Sequence, residues 1–234
     1  MFVQEERSGV REEFSQNAGT YGRYNIIQNQ VVGKLLQRIS DCPRSVLDLG
    51  CGDGAVYKAI TWPLQSFTAV DFAPGMLELH PAAPEVEMIF GDFNDPDLFK
   101  KLQSRKFDRV VSASALQWAG NMDSIFGHIH KMNAPVSLAI FTSGTFSEIY
   151  RTAAIPPILL SAEEIINSAT KYFSAEYTVE KYTLNFQSVR EMFRYIKKSG
   201  VSGGRKILDY RQAKRLMQAY PLQYLEFEVL FMHT

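Results

Sequence analysis

Short apolar runs alternate with amphipathic stretches along residues 45–141. Five of these runs are rich in β-branched and aromatic residues and mostly apolar on both faces, which is typical of buried parallel strands. They are SVLDLG (45–50), FTAVDF (67–72), VEMIFGD (86–92), FDRVVSAS (107–114) and VSLAIFTS (136–143). The stretches between them, 55–62, 74–80, 95–103 and 123–132, carry apolar residues at helical spacing. This alternation predicts βαβ units in an open α/β sheet with helices on both faces.

The flanking regions have different patterns. Residues 1–44 look helical, most clearly NIIQNQVVGKLLQRI (25–39), and residues 145–218 are also mostly helical, interrupted by the turn-like SGVSGGR (199–205). YLEFEVLFM (224–232) predicts a final strand at the sheet edge. We therefore expect one domain with four parts: a helical cap (1–44), a ligand-binding core (45–144), a helical lid insertion (145–218) and the final strand (219–234).

Composition narrows the class of protein. The chain has 234 residues with 25 basic and 25 acidic side chains, and 46% of its residues are hydrophobic, so a packed core is expected and disorder is not. The zero net charge argues against a general nucleic-acid binder. Two cysteines cannot build a disulfide framework, no apolar run approaches the length of a membrane span, and residues 1–14 lack the apolar stretch of a signal peptide. These features predict a soluble cytoplasmic protein.

A glycine-rich turn after the first predicted strand is the strongest local signal. Gly50, Gly52 and Gly54 have no Cβ, so the backbone there can adopt positive φ and approach a ligand closely. A predicted helix follows, and its free N–H groups face the same crevice. Asp48 lies inside the strand, and Asp71 ends the next strand, where a carboxylate can accept hydrogen bonds from both hydroxyls of a ribose. The pattern predicts a nucleoside ligand at the carboxyl ends of the strands.

The segment Asp48-x-Gly50-x-Gly52-x-Gly54 resembles motif I of the class I S-adenosylmethionine-dependent methyltransferases, and its glycines lack the G-x-G-x-x-G spacing of a dinucleotide fingerprint. The resemblance implies a Rossmann-like, seven-stranded, mostly parallel sheet. It places Asp48 near the methionine amino group, Asp71 on the ribose and the pair Asp92-Phe93 beside adenine. The implied cofactor-binding residues are Gln28, Asp48, Gly50, Cys51, Gly52, Gly54, Asp71, Phe72, Met76, Asp92, Phe93 and Ala115. A nicotinamide enzyme and a catalytically inactive relative are the alternatives.

Further segments narrow the family. They are Phe14-Ser15-x-x-Ala18-x-x-Tyr21, Ser114-Ala115-Leu116-Gln117-Trp118-Ala119-Gly120-Asn121, Lys197-Lys198-Ser199-Gly200-Val201 and Tyr220-Pro221-Leu222-x-Tyr224. These segments are similar to the malonyl-acyl-carrier-protein O-methyltransferases of biotin synthesis, with Asp53 as a departure from the usual Thr or Pro. The resemblance implies methyl transfer to the free carboxylate of a malonyl thioester. Another carboxylate, a quinone-like ring, or cofactor binding without catalysis are the alternatives.

The implied chemistry requires no general base. A carboxylic acid titrates near pH 4, so the acceptor is already ionised at neutral pH and displacement at a sulfonium depends mainly on alignment. The candidate substrate-side residues are Tyr21, Gln117, Trp118 and Arg205, each of which has a plain packing or surface role as its alternative. His128 and His130 lack the i, i+4 spacing of a helical metal pair, so no metal site is expected.

A basic stretch spans residues 190–215. It holds nine basic residues against Glu191 and Asp209, a local excess of +7: Arg190, Arg194, Lys197, Lys198, Arg205, Lys206, Arg211, Lys214 and Arg215. A solvated helix face is the ordinary explanation of such a run. Acyl-carrier proteins are acidic, and a basic rim beside the substrate entrance would speed and orient their docking. The stretch therefore makes acyl-carrier protein the expected partner.

Overall fold

The computed structural model describes residues 25–198 and 210–234, with helices on both sides of a central sheet. The strands are β1 (Ser45–Leu49), β2 (Ser66–Asp71), β3 (Val86–Phe90), β4 (Arg109–Ala113), β5 (Val136–Phe141), β6 (Glu176–Asn185) and β7 (Tyr224–His233). The helices described are α1 (Ile26–Leu36), α2 (Ala55–Ala59), α3 (Pro74–Leu77), α4 (Pro96–Leu102), α5 (Met122–His130), α6 (Ser147–Ala153), α7 (Ala162–Ala169), α8 (Val189–Lys198) and α9 (Tyr210–Ala219), with a 3-10 turn at Leu116–Trp118. None of these helices is long and apolar enough to cross a membrane.

The seven strands form one sheet in the order β3-β2-β1-β4-β5-β7-β6. The first five strands are parallel, and β7 runs antiparallel to both β5 and β6. The chain builds outward from β1 to β3 in one direction and from β4 in the other. The carboxyl ends of β1 and β4 therefore flank the point where the strand order reverses, which is where open α/β sheets bind ligands. The predicted seven-stranded, mostly parallel sheet is confirmed.

Helices bury both faces of the middle of the sheet. On one face α4, α5 and α7 pack through Phe99, Phe126 and Ile165 against β1, β4 and β5. On the other face α1 covers the middle of the sheet, and α8 and α9 cover β7. This two-sided burial explains why β1, β2, β4 and β5 are continuous apolar runs, because neither face of those strands meets water.

Three details differ from the sequence prediction. The region 145–218, predicted as a helical lid, contains the ten-residue strand β6. This strand pairs with β7 along its whole length, from Glu176 opposite His233 to Asn185 opposite Tyr224. Its side chains are half-buried and exposed in turn, as on an edge strand, so its pattern lacks the apolar run of the buried strands. The final strand β7 is consequently not at the sheet edge.

Strand β3 forms the opposite edge of the sheet. Met88 and Phe90 are 41% and 56% exposed, so the predicted burial of both faces is wrong for this strand. The reason is positional, because an edge strand is covered by only one neighbouring strand and by the ends of the flanking helices.

Candidate active site

The glycine-rich turn follows β1 with all three glycines in the left-handed region, at φ of 78°, 54° and 84° for Gly50, Gly52 and Gly54. The N–H groups of Gly50 and Cys51 donate to the carbonyl of Val70, at 2.8 and 3.0 Å. These bonds hold the turn against the end of β2. Residues with a Cβ rarely adopt such φ values, so the three glycines themselves favour this turn.

Two of the glycines also have no room for a side chain. A Cβ on Gly50 would lie 2.2 Å from the Cβ of Ala115, and one on Gly54 would lie 2.7 Å from Pro81 and 2.8 Å from the ring of His80. A Cβ on Gly52 would meet nothing within 4 Å. The turn is therefore clamped at both ends and open at its centre, which leaves space at Gly52 for a ligand to reach the backbone.

Asp71 joins the end of β2 to the glycine turn. Its Oδ2 accepts a hydrogen bond from the N–H of Gly52, and its Oδ1 accepts one from the N–H of Ala73, both at 2.9 Å. Burial raises the pKa of this carboxyl, and the backbone hydrogen bonds oppose that rise. Each carboxylate oxygen has a second lone pair, so the side chain retains acceptor capacity for the hydroxyls of a ribose.

Asp48 is the most unusual group in the site. It lies within β1 and is fully buried, and neither carboxylate oxygen has a hydrogen-bond partner among the described residues. Burial and the nearby charge of Asp71 raise the pKa of Asp48 to about 8. A buried carboxyl without donors is costly unless a cation or donor is supplied. The group therefore fits the amino group of an amino-acid ligand.

The turn after β4 carries two further polar side-chain atoms that are buried without a hydrogen-bond partner in the described structure. Ser114 adopts φ of 61°, and within the described ranges its hydroxyl is buried without a partner. Its backbone is fixed on both sides, since its N–H donates to the carbonyl of Ala139 and its carbonyl accepts from Nε2 of Gln117. Gln117 Oε1 is likewise buried and unpaired in the parts of the chain described. A strained backbone and an unsatisfied hydroxyl at one residue are typical of functional sites.

The loop after β3 reaches the same crevice. Phe93 is buried beside Gly50, with its ring edge 3.8 Å from the position of a Cβ there. Asp92 Oδ1 accepts hydrogen bonds from both the backbone and the side chain of Asn94, whose own Oδ1 accepts from the N–H of Gly120 at 2.7 Å. Asn94 therefore ties the loop after β3 to the loop after β4. Sequence reasoning missed its role because nothing in the local pattern distinguishes it.

The remaining predicted residues have varied positions. Gln28 is buried on α1, and its Oε1 has no partner in the described structure. Met76 is buried against Ala73, with Phe72 packed beside them, and Trp118 is half-buried against the hydrophobic cluster that contains Phe93. Tyr21 and Arg205 lie outside the described residues.

The Cys51 thiol is buried, and its pKa is raised by burial and by Asp48 and Asp71, so it serves as an unreactive small side chain.

His80 is a site-adjacent residue that the sequence analysis did not select. It is buried, its Nδ1 lies 2.9 Å from the carbonyl of Pro81, and its ring packs against Gly54. The Nδ1 contact makes that nitrogen the donor, so the unpaired Nε2 is an acceptor, and burial lowers the pKa of the ring. In residues 25–198 and 210–234 no three His, Cys, Asp or Glu side chains converge as metal ligands.

These features fit S-adenosylmethionine. The unpaired oxygens of Asp48 suit the ammonium of its methionine part, Asp71 suits the ribose hydroxyls, and Phe93 offers an apolar surface beside the turn. The open Gly52 provides backbone access between them.

Comparison with known proteins finds similarity to methyltransferases. A family model described as a methyltransferase domain matches residues 47–136. A malonyl-[acyl-carrier protein] O-methyltransferase of Acetivibrio thermocellus is 29% identical over 226 residues, covering 84% of this chain and 79% of the relative. A relative with the same name from Anoxybacillus flavithermus is 24% identical, covering 93% and 90%.

Solved structures share the fold. The phosphoethanolamine N-methyltransferase 2 of Haemonchus contortus, determined in complex with S-adenosyl-L-methionine, matches with a TM-score of 0.57 at 17% identity, over 94% of this chain and 57% of its own. Taken with the site, these findings identify the chain as an S-adenosylmethionine-dependent methyltransferase with the class I fold, similar in sequence to the malonyl-acyl-carrier-protein O-methyltransferases.

Proposed function

We propose that the enzyme methylates the free carboxylate of malonyl-acyl-carrier protein, as a step in biotin precursor synthesis. The observation that carries this proposal is the similarity along nearly the whole chain to relatives bearing that name, including the parts outside the methyltransferase domain. The methyl ester would mask a charge that chain-elongating enzymes otherwise meet at the growing end of the acyl group.

The chemistry of the site is compatible with a carboxylate acceptor. S-adenosylmethionine, when bound, supplies a methyl group on a sulfonium. Asp48 would hold the amino group of its methionine part and Asp71 the hydroxyls of its ribose, and Asp71 is tied to the glycine turn by the hydrogen bond from the N–H of Gly52. A malonyl carboxylate is ionised at neutral pH, so the protein has to align and desolvate the acceptor and does not have to remove a proton.

We infer that residues after β4 act on the acceptor side. Trp118 is half-buried against the cluster around Phe93, a position from which it could keep water out of the crevice. The hydroxyl of Ser114, directly after β4, has no hydrogen-bond partner within the described ranges, so it can donate to an anionic oxygen. Tyr21 and Arg205 are further candidates for binding the malonyl carboxylate, from the resemblance and the chemistry of arginine.

The basic stretch supports a carrier-protein substrate. The basic side chains of this stretch that the structure describes lie on α8 and α9 and are exposed: Arg190, Arg194, Arg211, Lys214 and Arg215. Both helices pack on the same face of the sheet as α1, beside β7. An acidic carrier protein could dock on this surface and deliver its thioester to the crevice.

A substrate panel with isotopically labelled cofactor tests the proposal. The panel contains malonyl-acyl-carrier protein, malonyl-coenzyme A, a short malonyl thioester, free malonate, trans-aconitate and a quinone-type phenol. We expect the highest kcat/KM on the carrier-bound thioester. Methylation of a carrier-free acid or of the phenol, with none of malonyl thioesters, would overturn the substrate assignment. Cofactor binding with no turnover on any of these compounds would also contradict the substrate assignment.

A further inference from the structure

The position of Asp48 has a consequence for how the site binds any amino-acid ligand. Asp48 is the fourth residue of β1 and pairs with Ala69 of β2 on one side and Val111 of β4 on the other. Its backbone therefore lies in the interior of the sheet, its side chain is fully buried, and no described group donates a hydrogen bond to either of its oxygens. An ionised carboxylate in this position would be buried without a counter-charge, which proteins avoid by keeping the acid protonated.

Among the described residues, the charged groups around Asp48 do not relieve this situation, and the nearby Cys51 thiol is kept neutral because burial, Asp48 and Asp71 raise its pKa. Asp71, at the end of β2, acts on Asp48 with the same sign of charge, and Asp92 in turn acts on Asp71. On the glycine turn, Asp53 is paired with Lys58 at 3.1 Å. In the part of the chain that the structure describes, the cations on neighbouring elements are paired with other groups: Lys34 and Arg38 of α1 with Glu180, and Arg109 of β4 with Asp41.

We propose that Asp48 holds a proton in the ligand-free protein and releases it to solvent when the ammonium group of the cofactor's amino-acid part binds, so that cofactor binding and proton release are coupled. The O–H bond of the carboxylic acid breaks, the proton passes to the buffer, and the resulting carboxylate pairs with the ammonium. The inference goes beyond the proposed function, since it concerns cofactor binding alone and does not depend on the methyl acceptor.

The coupling has a defined pH range. Burial and the charge of Asp71 raise the pKa of Asp48 to about 8 in the free protein. At pH 7 the side chain is then mostly protonated, and binding should release close to one proton. The dissociation constant should fall about tenfold per pH unit from pH 6 toward pH 7.5 and level off near pH 8.

Calorimetry of S-adenosylhomocysteine binding in buffers of different ionisation enthalpy measures the released protons directly. The comparison ligand is 5′-methylthioadenosine, which has the nucleoside but no amino-acid part and should release no proton. Asp48→Asn, which keeps the shape of the protonated acid, should abolish the release that wild type shows. Asp53→Asn removes a carboxylate from the same glycine turn and should leave that release unchanged. The α-amino group of the ligand is itself mostly protonated at pH 7, so a release close to one proton in wild type that is lost in Asp48→Asn reports Asp48.

Two outcomes overturn the proposal. One is proton release that persists in Asp48→Asn, which would assign it to another group. The other is equal proton release by S-adenosylhomocysteine and 5′-methylthioadenosine in the wild-type protein. The second comparison needs no variant, so it decides the matter even if Asp48→Asn fails to fold. Infrared difference spectra add an independent readout, because the carbonyl stretch of a protonated carboxylic acid should disappear on binding S-adenosylhomocysteine only. Since neither ligand can donate a methyl group, failure of the malonyl assignment would leave this result unaffected.

Discussion

The carboxylate of Asp71 accepts a hydrogen bond from the backbone N–H of Gly52 at 2.9 Å, which joins the end of β2 to the glycine turn after β1. The residue expected to hold the ribose therefore also holds the turn that admits the ligand. Asp71→Ala removes both functions. We expect nucleoside affinity to fall about 100-fold or more, since hydrogen bonds to a charged group are worth about 1.5–3 kcal/mol each.

Calorimetry with 5′-methylthioadenosine measures this loss without any contribution from the amino-acid part. Asp53→Ala is the matched control, because Asp53 lies on the same turn and its carboxylate pairs with Lys58. Its affinity should stay close to that of wild type. Unchanged binding in Asp71→Ala would show that the ribose lies elsewhere.

The clamped and open positions of the glycine turn predict different sensitivities. Gly50→Ala meets the Cβ of Ala115, whose backbone-attached methyl cannot move aside, and Gly52→Ala meets no atom. Both changes carry the cost of a side chain at positive φ, about 1–2 kcal/mol. Gly50→Ala adds the cost of overpacking, about 1–3 kcal/mol more. Urea unfolding of the two ligand-free variants should rank Gly50→Ala as clearly less stable, and equal stability would contradict the close approach of Gly50 to Ala115.

The raised pKa of Asp48 predicts how the stability of the ligand-free protein depends on pH. Between the ordinary value of 3.8 and about 8, the folded protein keeps a proton on Asp48 that the unfolded chain has lost. The free energy of unfolding should therefore fall with rising pH across this range, by up to about 1.4 kcal/mol per pH unit from this group. Asp48→Asn cannot titrate, so it should gain stability relative to wild type as pH increases from 5 to 8. If the difference in unfolding free energy between the two proteins stays constant over that pH range, Asp48 does not titrate there.

Carrier-protein docking predicts a change confined to one substrate. Reversal of three exposed cations on α9, Arg211→Glu, Lys214→Glu and Arg215→Glu, should raise the KM for malonyl-acyl-carrier protein tenfold or more and leave kcat nearly unchanged. The KM for a short malonyl thioester should not change. Wild-type KM for the carrier substrate should also rise with salt, because exposed charges are screened.

The control for this experiment reverses Lys101 and Lys106, exposed cations that flank the end of α4 on the other face of the sheet. It should have the kinetics of wild type on both substrates. Equal effects of the α9 variant on the carrier-bound and short thioesters would point to a structural disturbance and would contradict docking at this surface.

Much of the site could be predicted from the sequence because parallel strands align their carboxyl ends. Asp48 and Asp71 belong to consecutive strands, and Phe93 follows the next one, so their meeting at one edge follows from the βαβ pattern alone. The three glycines also indicate the site, for a different reason. The turn needs positive φ at three of five consecutive positions, and glycine is the residue that adopts positive φ readily.

The remaining features depend on tertiary contacts that local patterns do not encode. The left-handed backbone of Ser114 is held by the hydrogen bond from its N–H to the carbonyl of Ala139 on the neighbouring strand β5, a contact that the residues around Ser114 do not indicate. The packing of His80 on Gly54 is set by the loop after α3. The sequence pattern does not predict β6, because a half-exposed edge strand lacks a continuous apolar run. Without β6, the pattern wrongly predicts β7 as the edge strand.

Mass spectrometry of the acyl-carrier protein tests the assignment of the substrate most directly. Malonyl-acyl-carrier protein is incubated with the enzyme and S-adenosylmethionine, and the carrier is examined intact and after release of the acyl group. We predict the addition of one methyl group, located on the malonyl carboxylate as an ester and absent when the carrier is loaded with an acetyl group. An unmodified malonyl-acyl-carrier protein, under conditions in which the enzyme binds the cofactor, would contradict the assignment.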